Sequence, residues 1–443
     1  MGKWLKPYTI NDFNFHGAYC FSSNNNNFLL GKNGCSIIIN NNLLKNLTKP
    51  SSAFKLKLIQ HGLADINGKN ILKPMPKLSY HDKITYFIID ITKACNFSCI
   101  YCFRDFKDKK TISKERIKDI CDYILSVAHE QKTYRINIQM WGGEPLKAVD
   151  CIYYVKKYFA DTDIYVSIDI ESNGSLITDD IARQLYEWNI HIGISIDGCP
   201  EHQNKQRRLA NGRPSMEMVK KGIKNIQKYY GNNFGCITVI TKYNHNDIIK
   251  IIEYFIFELG IHNIKFNIVR NNTNAKEENL GLSLNEIQRF AETLCDVVEA
   301  YNVLGVTFSE GNLQVRYDNL ISRSAFSICI SNGCQGGNKM ISIDMYGNIY
   351  PCEMIDYPEE KIGSIYDEKP LSKQIAEAHK EKLFFKTKEG KECLKCPWHY
   401  FCGGGCTSRV RYTGKFGVVD EVECTLNKTI YPKIIKRILD AGN

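Results

Sequence analysis

The sequence predicts an α/β fold, a partial (β/α)6 barrel of the TIM type, and two observations indicate it. From residue 84 onward, β-branched, apolar runs of strand length alternate with segments of helical periodicity. Six such units in succession require a parallel sheet with covering helices. We expect the strands at 84–91, 135–141, 164–171, 191–196, 234–240 and 263–268, and the helices near 113–129, 147–159, 178–188, 215–230, 246–259 and 284–301.

Charge and composition divide the chain into three expected domains, 1–80, 81–305 and 306–443. The first is a small α+β domain, with strand-like runs at 17–22, 28–30 and 36–39, a helical pattern at 53–62 and a stiff Lys-Pro-Met-Pro linker at 73–76. The second is the barrel. The third is rich in cysteine.

The N-terminal domain is strongly basic. Residues 1–80 hold ten Lys, no Arg and only Asp12 and Asp65 as acids, so they carry +8 of the total net charge of +10. Such a module favours an acidic partner, either an acidic peptide or nucleic acid. The alternative is a solvated lysine-rich face with no partner.

The apolar runs and the number of cysteines indicate in which cellular compartment the protein is expected. No apolar run approaches the roughly 18 residues of a membrane span, and the N-terminus lacks a secretory h-region. We therefore expect a cytoplasmic protein without a membrane partner. Eighteen cysteines in such a chain favour metal or redox chemistry over a disulfide framework.

Three cysteines follow the first barrel strand in a C-x3-C-x2-C spacing: Cys95, Cys99 and Cys102. One short loop can wrap three thiolates around a [4Fe–4S] cube, and three ligands leave the fourth iron open for another molecule. The alternatives are a zinc site or three incidental cysteines, and zinc usually requires a fourth ligand.

With Tyr101 in the aromatic position, this loop resembles the C-x3-C-x-aromatic-C signature of the radical S-adenosylmethionine (SAM) superfamily. The resemblance implies the partial (β/α)6 barrel. It also implies that SAM chelates the open iron and that one electron from the cluster cleaves it to a 5′-deoxyadenosyl radical. A reductant such as flavodoxin or ferredoxin is the corresponding partner.

A Gly-Gly-Glu-Pro sequence follows the second strand, at residues 142–145. The glycines let the backbone approach a ligand closely, and a carboxylate can accept hydrogen bonds from an ammonium group. The sequence is similar to the family's GGEP motif, which holds the SAM amino group. The resemblance therefore implies that Gly142, Gly143 and Glu144 bind the cofactor.

Two further strands end in short polar residues. Asn173 lies in a Ser-Asn-Gly sequence and Ser195 and Asp197 in Ser-Ile-Asp-Gly, which resemble the TNG and S-[IL]-D-G motifs of the subfamily with extra clusters. The resemblance implies that these residues contact SAM, although such residues also cap helices. His202, Arg207 and Arg208 follow where the family often has a His-Asp…Arg stretch, but Gln203 replaces the acid and leaves their roles open.

Seven cysteines lie near the C-terminus: Cys334, Cys352, Cys393, Cys396, Cys402, Cys406 and Cys424. Their spacing resembles the seven-cysteine pattern of the SPASM domain, and Cys329 is an eighth cysteine just before it. A hairpin is expected at 340–352. The resemblance implies two further [4Fe–4S] clusters, one held by Cys329, Cys334, Cys352 and Cys406 and the other by Cys393, Cys396, Cys402 and Cys424. Because C-x2-C pairs also build zinc ribbons, two zinc ions are the alternative.

Glu353 directly follows Cys352 and is the candidate catalytic base. Anaerobic sulfatase-maturating enzymes, which share this architecture, have an Asp there that is thought to take the substrate proton. A glutamate can act similarly where substrate excludes water. The alternative is a solvated hairpin residue.

These patterns predict a radical SAM/SPASM maturase that abstracts a hydrogen atom from a residue of a ribosomal precursor peptide, with an acidic leader, and forms an intramolecular thioether or carbon–carbon cross-link. The alternatives are formylglycine formation in a sulfatase and peptide epimerisation or decarboxylation. A zinc-ribbon protein that binds nucleic acid would explain the basic charge and the C-x2-C pairs. It would not explain C-x3-C-x2-C with GGEP on a β/α pattern.

Overall fold

The computed structural model describes residues 2–69, 83–104, 109–321, 327, 329, 333–355, 357–386, 390–414 and 417–441. The linker expected at 73–76 lies outside these residues. None of the described helices is both long enough and apolar enough to cross a membrane.

The N-terminal region forms two small antiparallel sheets that share a core around Phe13, Leu29 and Leu58. Strands β1, β4, β5 and β6 form one sheet, and β2, β3 and β7 form the other. Their bounds are β1 (Lys3–Leu5), β2 (Tyr8–Ile10), β3 (Phe13–Phe15), β4 (Ala18–Ser23), β5 (Asn26–Leu30), β6 (Ser36–Asn40), α1 (Asn41–Lys45), α2 (Ser52–Gln60) and β7 (Ala64–Ile66).

The barrel follows the predicted alternation, and all six expected parallel strands are present. Its strands are β8 (Tyr86–Thr92), β9 (Phe97–Cys99), β10 (Arg135–Gly142), β11 (Tyr165–Ser172), β12 (Ile190–Ser195), β13 (Arg207–Leu209), β14 (Gly235–Ile240), β15 (Asn263–Ile268) and β16 (Ser309–Glu310). Its helices are α3 (Lys114–Glu130), α4 (Val149–Ala160), α5 (Asp179–Glu187), α6 (Pro200–Gln206), α7 (Met216–Tyr230), α8 (Ile248–Glu253), α9 (Thr273–Glu277), α10 (Leu284–Val303) and α11 (Gly311–Ile321), and a π-helical turn (Tyr254–Glu258) extends α8.

The C-terminal region is built from short elements and one long helix. These are β17 (Met340–Ile343), β18 (Asn348–Tyr350), β19 (Gly363–Ser364), α12 (Leu371–Glu381), α13 (His399–Cys402), α14 (Thr407–Tyr412) and α15 (Glu421–Ala441). The expected hairpin is present, because β17 and β18 pair antiparallel with Ile343 opposite Ile349.

One sheet runs through the barrel and the C-terminal region, in the order β16-β15-β14-β12-β11-β10-β8-β17-β18-β19. The sheet does not close on itself, as a partial barrel requires. Strand β17 pairs parallel with β8, and Met340 lies opposite Tyr86. The first barrel strand thus has no free edge, and the C-terminal hairpin is fixed relative to the barrel.

Four of the barrel strands alternate regularly between two environments. In β11, Val166, Ile168 and Ile170 are buried in the main core beneath the helices, whereas Asp169 and Glu171 are only half-buried. The same alternation holds in β12, β14 and β15. One face of the sheet therefore packs against the helices, and the other presents polar groups to the inside of the barrel.

The N-terminal domain packs against the C-terminal region through β4. The ring of Phe21 stacks on Trp398 with 5.3 Å between ring centroids, and the Tyr19 hydroxyl donates to the Lys395 carbonyl. At the end of β4, the Ser23 hydroxyl donates to Asp440 on α15 at 2.6 Å. The basic domain is therefore anchored on the segment that carries the C-terminal cysteines.

Candidate functional site

The loop that carries Cys95, Cys99 and Cys102 leaves the C-terminal end of β8 and is held on two sides. On one side, β9 pairs antiparallel with β13, so that Cys99 lies opposite Arg207. On the other side, the amides of Asn272 and Asn274 donate to the carbonyl oxygens of Tyr101 and Cys102. Contacts on both sides thus hold the backbone of the loop.

The three thiols face a common buried space. Burial raises the pKa of Cys99, and Cys102 and Cys95 are among the neighbouring groups that raise it further. Burial also raises the pKa of Cys95 to about 11. Arg207 is a cationic neighbour that lowers the pKa of Cys99 and of Cys95, and a bound metal centre would compensate the thiolate charges further.

The spacing of these sulfur atoms distinguishes between kinds of metal centre. Among the described residues, only Cys199, Glu201 and His202 bring three ligand atoms all within 4.8 Å of one another. A single tetrahedral zinc ion with Zn–S bonds of about 2.3 Å needs such close ligands. Cys95, Cys99 and Cys102 do not meet this spacing, so the loop is not a preformed tetrahedral site for a single ion.

The Gly142-Gly143 pair lies directly against the start of the cluster loop. A Cβ atom on Gly142 would lie 2.4 Å from the Thr92 carbonyl oxygen, and one on Gly143 would lie 2.7 Å from that of Ala94. The Gly143 amide donates to the Thr92 carbonyl at 2.7 Å. Only glycine allows this approach of the two loops.

Glu144 is buried and links the second and third strand ends. Its carboxylate accepts hydrogen bonds from the Ser172 hydroxyl and the Asn173 amide, both at 2.8 Å, and from the Leu146 amide at 3.1 Å. Burial raises its pKa, although these hydrogen bonds oppose the shift. The Asn173 side chain in turn donates to Asn96 in the cluster loop at 2.9 Å.

Tyr101 and Asp197 contact each other. The Tyr101 hydroxyl donates to one carboxylate oxygen of Asp197 at 2.7 Å. The other oxygen accepts from the Val239 amide at 2.9 Å and lies 3.1 Å from Nε of Arg207. Asp197 is fully buried, so in this structure its carboxylate is occupied by protein partners. Ser195, two residues earlier, is half-buried on the inner face at the end of β12.

The inside of the barrel gathers titratable groups from distant strands. Burial raises the pKa of Glu171, whose charged neighbours include Lys265 on β15 and Glu353 in the C-terminal region. Tyr86 on β8 faces the same set of groups, including Asp169. These groups lie on the polar inner face of the barrel, and Glu171 is near the C-terminal end of its strand, where the substrates of such barrels are expected.

Glu353 is an electrostatic neighbour of Glu171 and Tyr86 in this set. Its Oε2 atom is buried and has no hydrogen-bond partner among the described residues, and the same is true of Nη1 of Arg270. The Arg270 guanidinium has Glu353, Cys352 and Cys406 among its electrostatic neighbours. An unpaired buried carboxylate oxygen is costly unless another molecule uses it.

The structure brings the first predicted C-terminal cysteine set together. Burial, followed by the nearby Glu353, Cys334 and Cys406, raises the pKa of the Cys352 thiol well above its usual value. Cys329 has Cys406 and Cys334 among its charged neighbours, but it is exposed whereas Cys352 is buried.

The second predicted set is also assembled in one place. Burial raises the pKa of Cys402 to about 12, and Cys424 is among its neighbours. Cys396 has Cys424 and Cys393 nearby. The Lys428 ammonium group donates a hydrogen bond to the Cys424 sulfur, which places one cation beside this set.

Several residues of the site have no sequence motif. Asn272 and Asn274 follow β15 and contact the cluster loop about 170 positions earlier in the chain, and Arg270 is their near neighbour. Arg207 carried a weak signal from its position after the fourth strand. For Asn272, Asn274 and Arg270, the sequence indicates only that they are polar residues that follow a predicted strand.

A profile of the Radical SAM superfamily matches residues 89–255. The chain is 30% identical to the uncharacterized protein MJ0907 of Methanocaldococcus jannaschii over 277 residues, which are 62% of this chain and 87% of that protein. With the barrel and cysteine loop described above, these matches establish that the chain belongs to the radical SAM superfamily.

Within this superfamily, the chain is similar to known maturases. A cysteine-type anaerobic sulfatase-maturating enzyme of Clostridium novyi is 27% identical over 377 residues, which cover 80% of this chain and 96% of that enzyme. The similarity spans nearly the whole relative, including the region beyond the barrel.

Two solved structures share the fold. The structure of anSMEcpe with bound AdoMet covers 81% of this chain and 99% of its own, with a TM-score of 0.69 and 21% identity. Streptococcus suis SuiB bound to its precursor peptide SuiA covers 94% of this chain and 99% of its own, with a TM-score of 0.55 and 17% identity.

Proposed function

We propose that this chain is a maturase that removes a hydrogen atom from a residue of a ribosomally synthesised peptide and forms an intramolecular thioether or carbon–carbon bond. One observation carries the proposal. Oε2 of Glu353, which has no hydrogen-bond partner among the described residues, belongs to a side chain that neighbours Glu171 on the inner face of the barrel and follows Cys352, a predicted cluster ligand.

The proposal includes SAM and three [4Fe–4S] clusters. Bound at the open iron of the first cluster, SAM supplies the radical that abstracts the hydrogen atom. The protein holds that cluster by Cys95, Cys99 and Cys102. The close approach of Gly142 and Gly143 to this loop would hold the Gly-Gly-Glu-Pro segment beside the bound cofactor.

The protein's own contribution to the second half of the reaction is the removal of a proton. After hydrogen abstraction, formation of the new bond requires the substrate to lose one electron and one proton. Auxiliary clusters held by the two C-terminal cysteine sets would supply the acceptor for the electron, and Glu353 accepts the proton. The net change in the peptide is the loss of two hydrogen atoms.

We assign residues 1–80 to binding of an acidic leader peptide, residues 81–305 to the barrel and residues 306–443 to the cluster-binding domain. The N-terminal sheet has two edge strands, β1 and β6, to which an extended peptide could add. Lys3 and Lys6 lie on or beside β1. SuiB, whose structure with a precursor peptide covers 94% of this chain, supports a peptide substrate.

The second candidate function is oxidation of a cysteine or serine to formylglycine in a sulfatase. The similarity to the Clostridium novyi cysteine-type maturase over 96% of its length favours this alternative. Both reactions use the same hydrogen abstraction and proton removal, so they differ in the substrate that enters the barrel. Peptide epimerisation is a third outcome, in which no proton or electron is lost overall.

The experiment is anaerobic co-expression with each short open reading frame encoded beside the gene, followed by intact-mass and fragmentation measurements. Loss of two hydrogens, with fragmentation blocked between two residues, is the expected result. A formylglycine mass change in a sulfatase sequence would select the second candidate. Altered chirality without a mass change would select epimerisation.

Glu353 has its own test in the same assay. We expect Glu353→Gln to cleave SAM but to lose product formation by at least about tenfold, because a neutral amide cannot accept the proton. Glu353→Asp is the matched variant and should retain part of the activity. Full product formation by Glu353→Gln would remove the residue from the mechanism.

A further inference from the structure

A short basic segment, residues 205–213, packs against the cluster loop through the pairing of β13 with β9. We call it the basic ribbon. It contains strand β13 and the turn that follows. Lys205, Arg208 and Arg213 are exposed on it. Residues 203–215 contain no Asp or Glu, so the ribbon is locally uncompensated in the sequence.

The structure does not supply the missing negative charge from elsewhere. Within the described part of the chain, Lys205, Arg208 and Arg213 form no ion pair with a carboxylate. Lys250 on the neighbouring α8, by contrast, pairs with Glu201 at 2.5 Å. Lys205 instead lies over the ring of Tyr243, with 3.5 Å between Nζ and the ring centroid. The exposed positive charge is therefore available to a partner.

The ribbon is bonded directly to the backbone around a predicted cluster ligand. Arg208 lies opposite Ser98 and Arg207 opposite Cys99 in the β9–β13 pairing. The Ile100 amide donates to the Gln206 carbonyl, and the Ala210 amide donates to the Asn96 carbonyl. A protein that rests on the ribbon is thus separated from Cys99 by a single pair of hydrogen-bonded strands.

The shape of the ribbon is fixed before any partner binds. The Gly212 amide donates to the Leu209 carbonyl at 2.8 Å, and the Leu209 amide donates to the Arg213 carbonyl at 3.0 Å. Gly212 has φ of 81°, which a glycine tolerates, and a Cβ there would meet no atom within 4 Å. A preorganised and open surface loses little entropy on association.

We propose that this basic ribbon is the docking surface for an acidic one-electron carrier protein of the flavodoxin or ferredoxin class. The inference rests on the proposed function, because it requires a cluster at Cys95, Cys99 and Cys102. In the step concerned, the reduced carrier loses one electron and the cluster gains it, and no bond is made or broken. Electron-transfer encounters bury little surface, so a ribbon of this size is sufficient.

The test compares the reconstituted wild type with the triple variant Lys205→Glu, Arg208→Glu, Arg213→Glu. Stopped-flow absorbance measures cluster reduction by purified, reduced flavodoxin, and surface plasmon resonance measures flavodoxin binding. At low ionic strength we expect the variant's second-order rate constant to fall at least about tenfold, with a matching loss of affinity. The difference should shrink in high salt, which screens the attraction.

Two controls isolate docking from damage to the protein. Dithionite, a small reductant that needs no docking surface, should reduce wild type and variant at the same rate. The matched variant Lys132→Glu, Arg135→Glu, Lys157→Glu changes three exposed cations near the opposite, N-terminal ends of the barrel strands. It should behave as wild type with flavodoxin.

Each result other than the expected one would contradict one specific claim, either the docking surface or the proposed function. Equal reduction by flavodoxin in the wild type and the ribbon variant, both loaded with iron, would overturn the docking proposal alone. Unchanged reduction with lost binding of the precursor peptide would overturn it in favour of a substrate surface. A wild type that binds no iron would overturn the proposed function itself.

Discussion

The cluster loop depends on single buried side chains that balance one another's charge. Asp197 is fully buried and accepts hydrogen bonds from Tyr101 and Val239. Arg207, which is also buried, lies 3.1 Å away as its counter-ion. Loss of either charge leaves the other without a partner in a region of low dielectric constant.

Asp197→Asn should therefore lower the free energy of unfolding by about 3–5 kcal/mol, because it leaves the Arg207 charge buried and unpaired. Anaerobic urea unfolding measures the change. Asp179→Asn, which removes an exposed pair with Lys228 on the barrel surface, is the matched control and should leave the unfolding midpoint where it was. Equal effects of the two substitutions would refute a special role for the buried pair.

The cysteines differ in role although many are buried alike. We expect Cys99→Ala to lose about four of about twelve irons per chain, because a cube with two thiolate ligands is not retained. Iron and acid-labile sulfide assays measure this loss. Cys236→Ala changes a buried cysteine on β14 that faces the main core, and its iron content should match that of the wild type.

At the scale of elements, the loops that follow β8, β10 and β11 converge because parallel strands end at one edge of the sheet. The tip of the third loop is packed against helix α7. A Cβ on Gly222 of α7 would lie 1.9 Å from the carbonyl oxygen of Gly174, the residue after Asn173. Helix α7 thus positions the Asn173 amide that bonds to Glu144.

Gly222→Ala should destabilise the protein by about 3 kcal/mol, because backbone atoms cannot move away as a flexible side chain could. The direction of the change in the free energy of unfolding is informative, because alanine in a helix interior is otherwise favoured over glycine by about 1 kcal/mol. Thermal unfolding measures the change. Gly390→Ala, where a Cβ would meet no atom within 4 Å, is the control and should be neutral. A stabilised Gly222→Ala protein would contradict this packing.

At the scale of the whole molecule, the three regions are joined by direct contacts. The barrel and C-terminal region share one sheet through β8 and β17. Helix α11 is tied to α15 by the buried pair Arg316–Glu423 at 2.5 Å. The N-terminal domain rests on the same C-terminal segment through Phe21 and Trp398.

We expect Phe21→Ala to cost about 2 kcal/mol, from lost burial and lost ring stacking between the domains. Differential scanning calorimetry should show an earlier transition, with the N-terminal domain unfolding separately from the remainder. Ile38→Ala, which truncates a side chain that is 40% exposed on β6, is the control and should change little. A single unchanged transition in Phe21→Ala would mean that this contact does not couple the domains.

The barrel elements could be predicted closely because their signals are local. The alternation in 164–171 corresponds to β11 at Tyr165–Ser172, and the pattern at 113–129 corresponds to α3 at Lys114–Glu130. The hairpin at 340–352 was predicted from its turn residues, and β17 and β18 form it. The pairing of that hairpin with β8 could not be predicted, because strand pairing between residues 250 positions apart leaves no local pattern.

The sequence by itself determined the superfamily, the six β/α units and the residues able to bind clusters, because cysteine spacing and hydrophobic periodicity are properties of short segments. Only the tertiary structure decided how these segments meet. It paired Asp197 with Tyr101 and Arg207, and it buried an oxygen of Glu353 that has no hydrogen-bond partner in the described part of the chain. Burial, pairing and charge compensation depend on groups that are distant in the chain, so no local pattern could specify them.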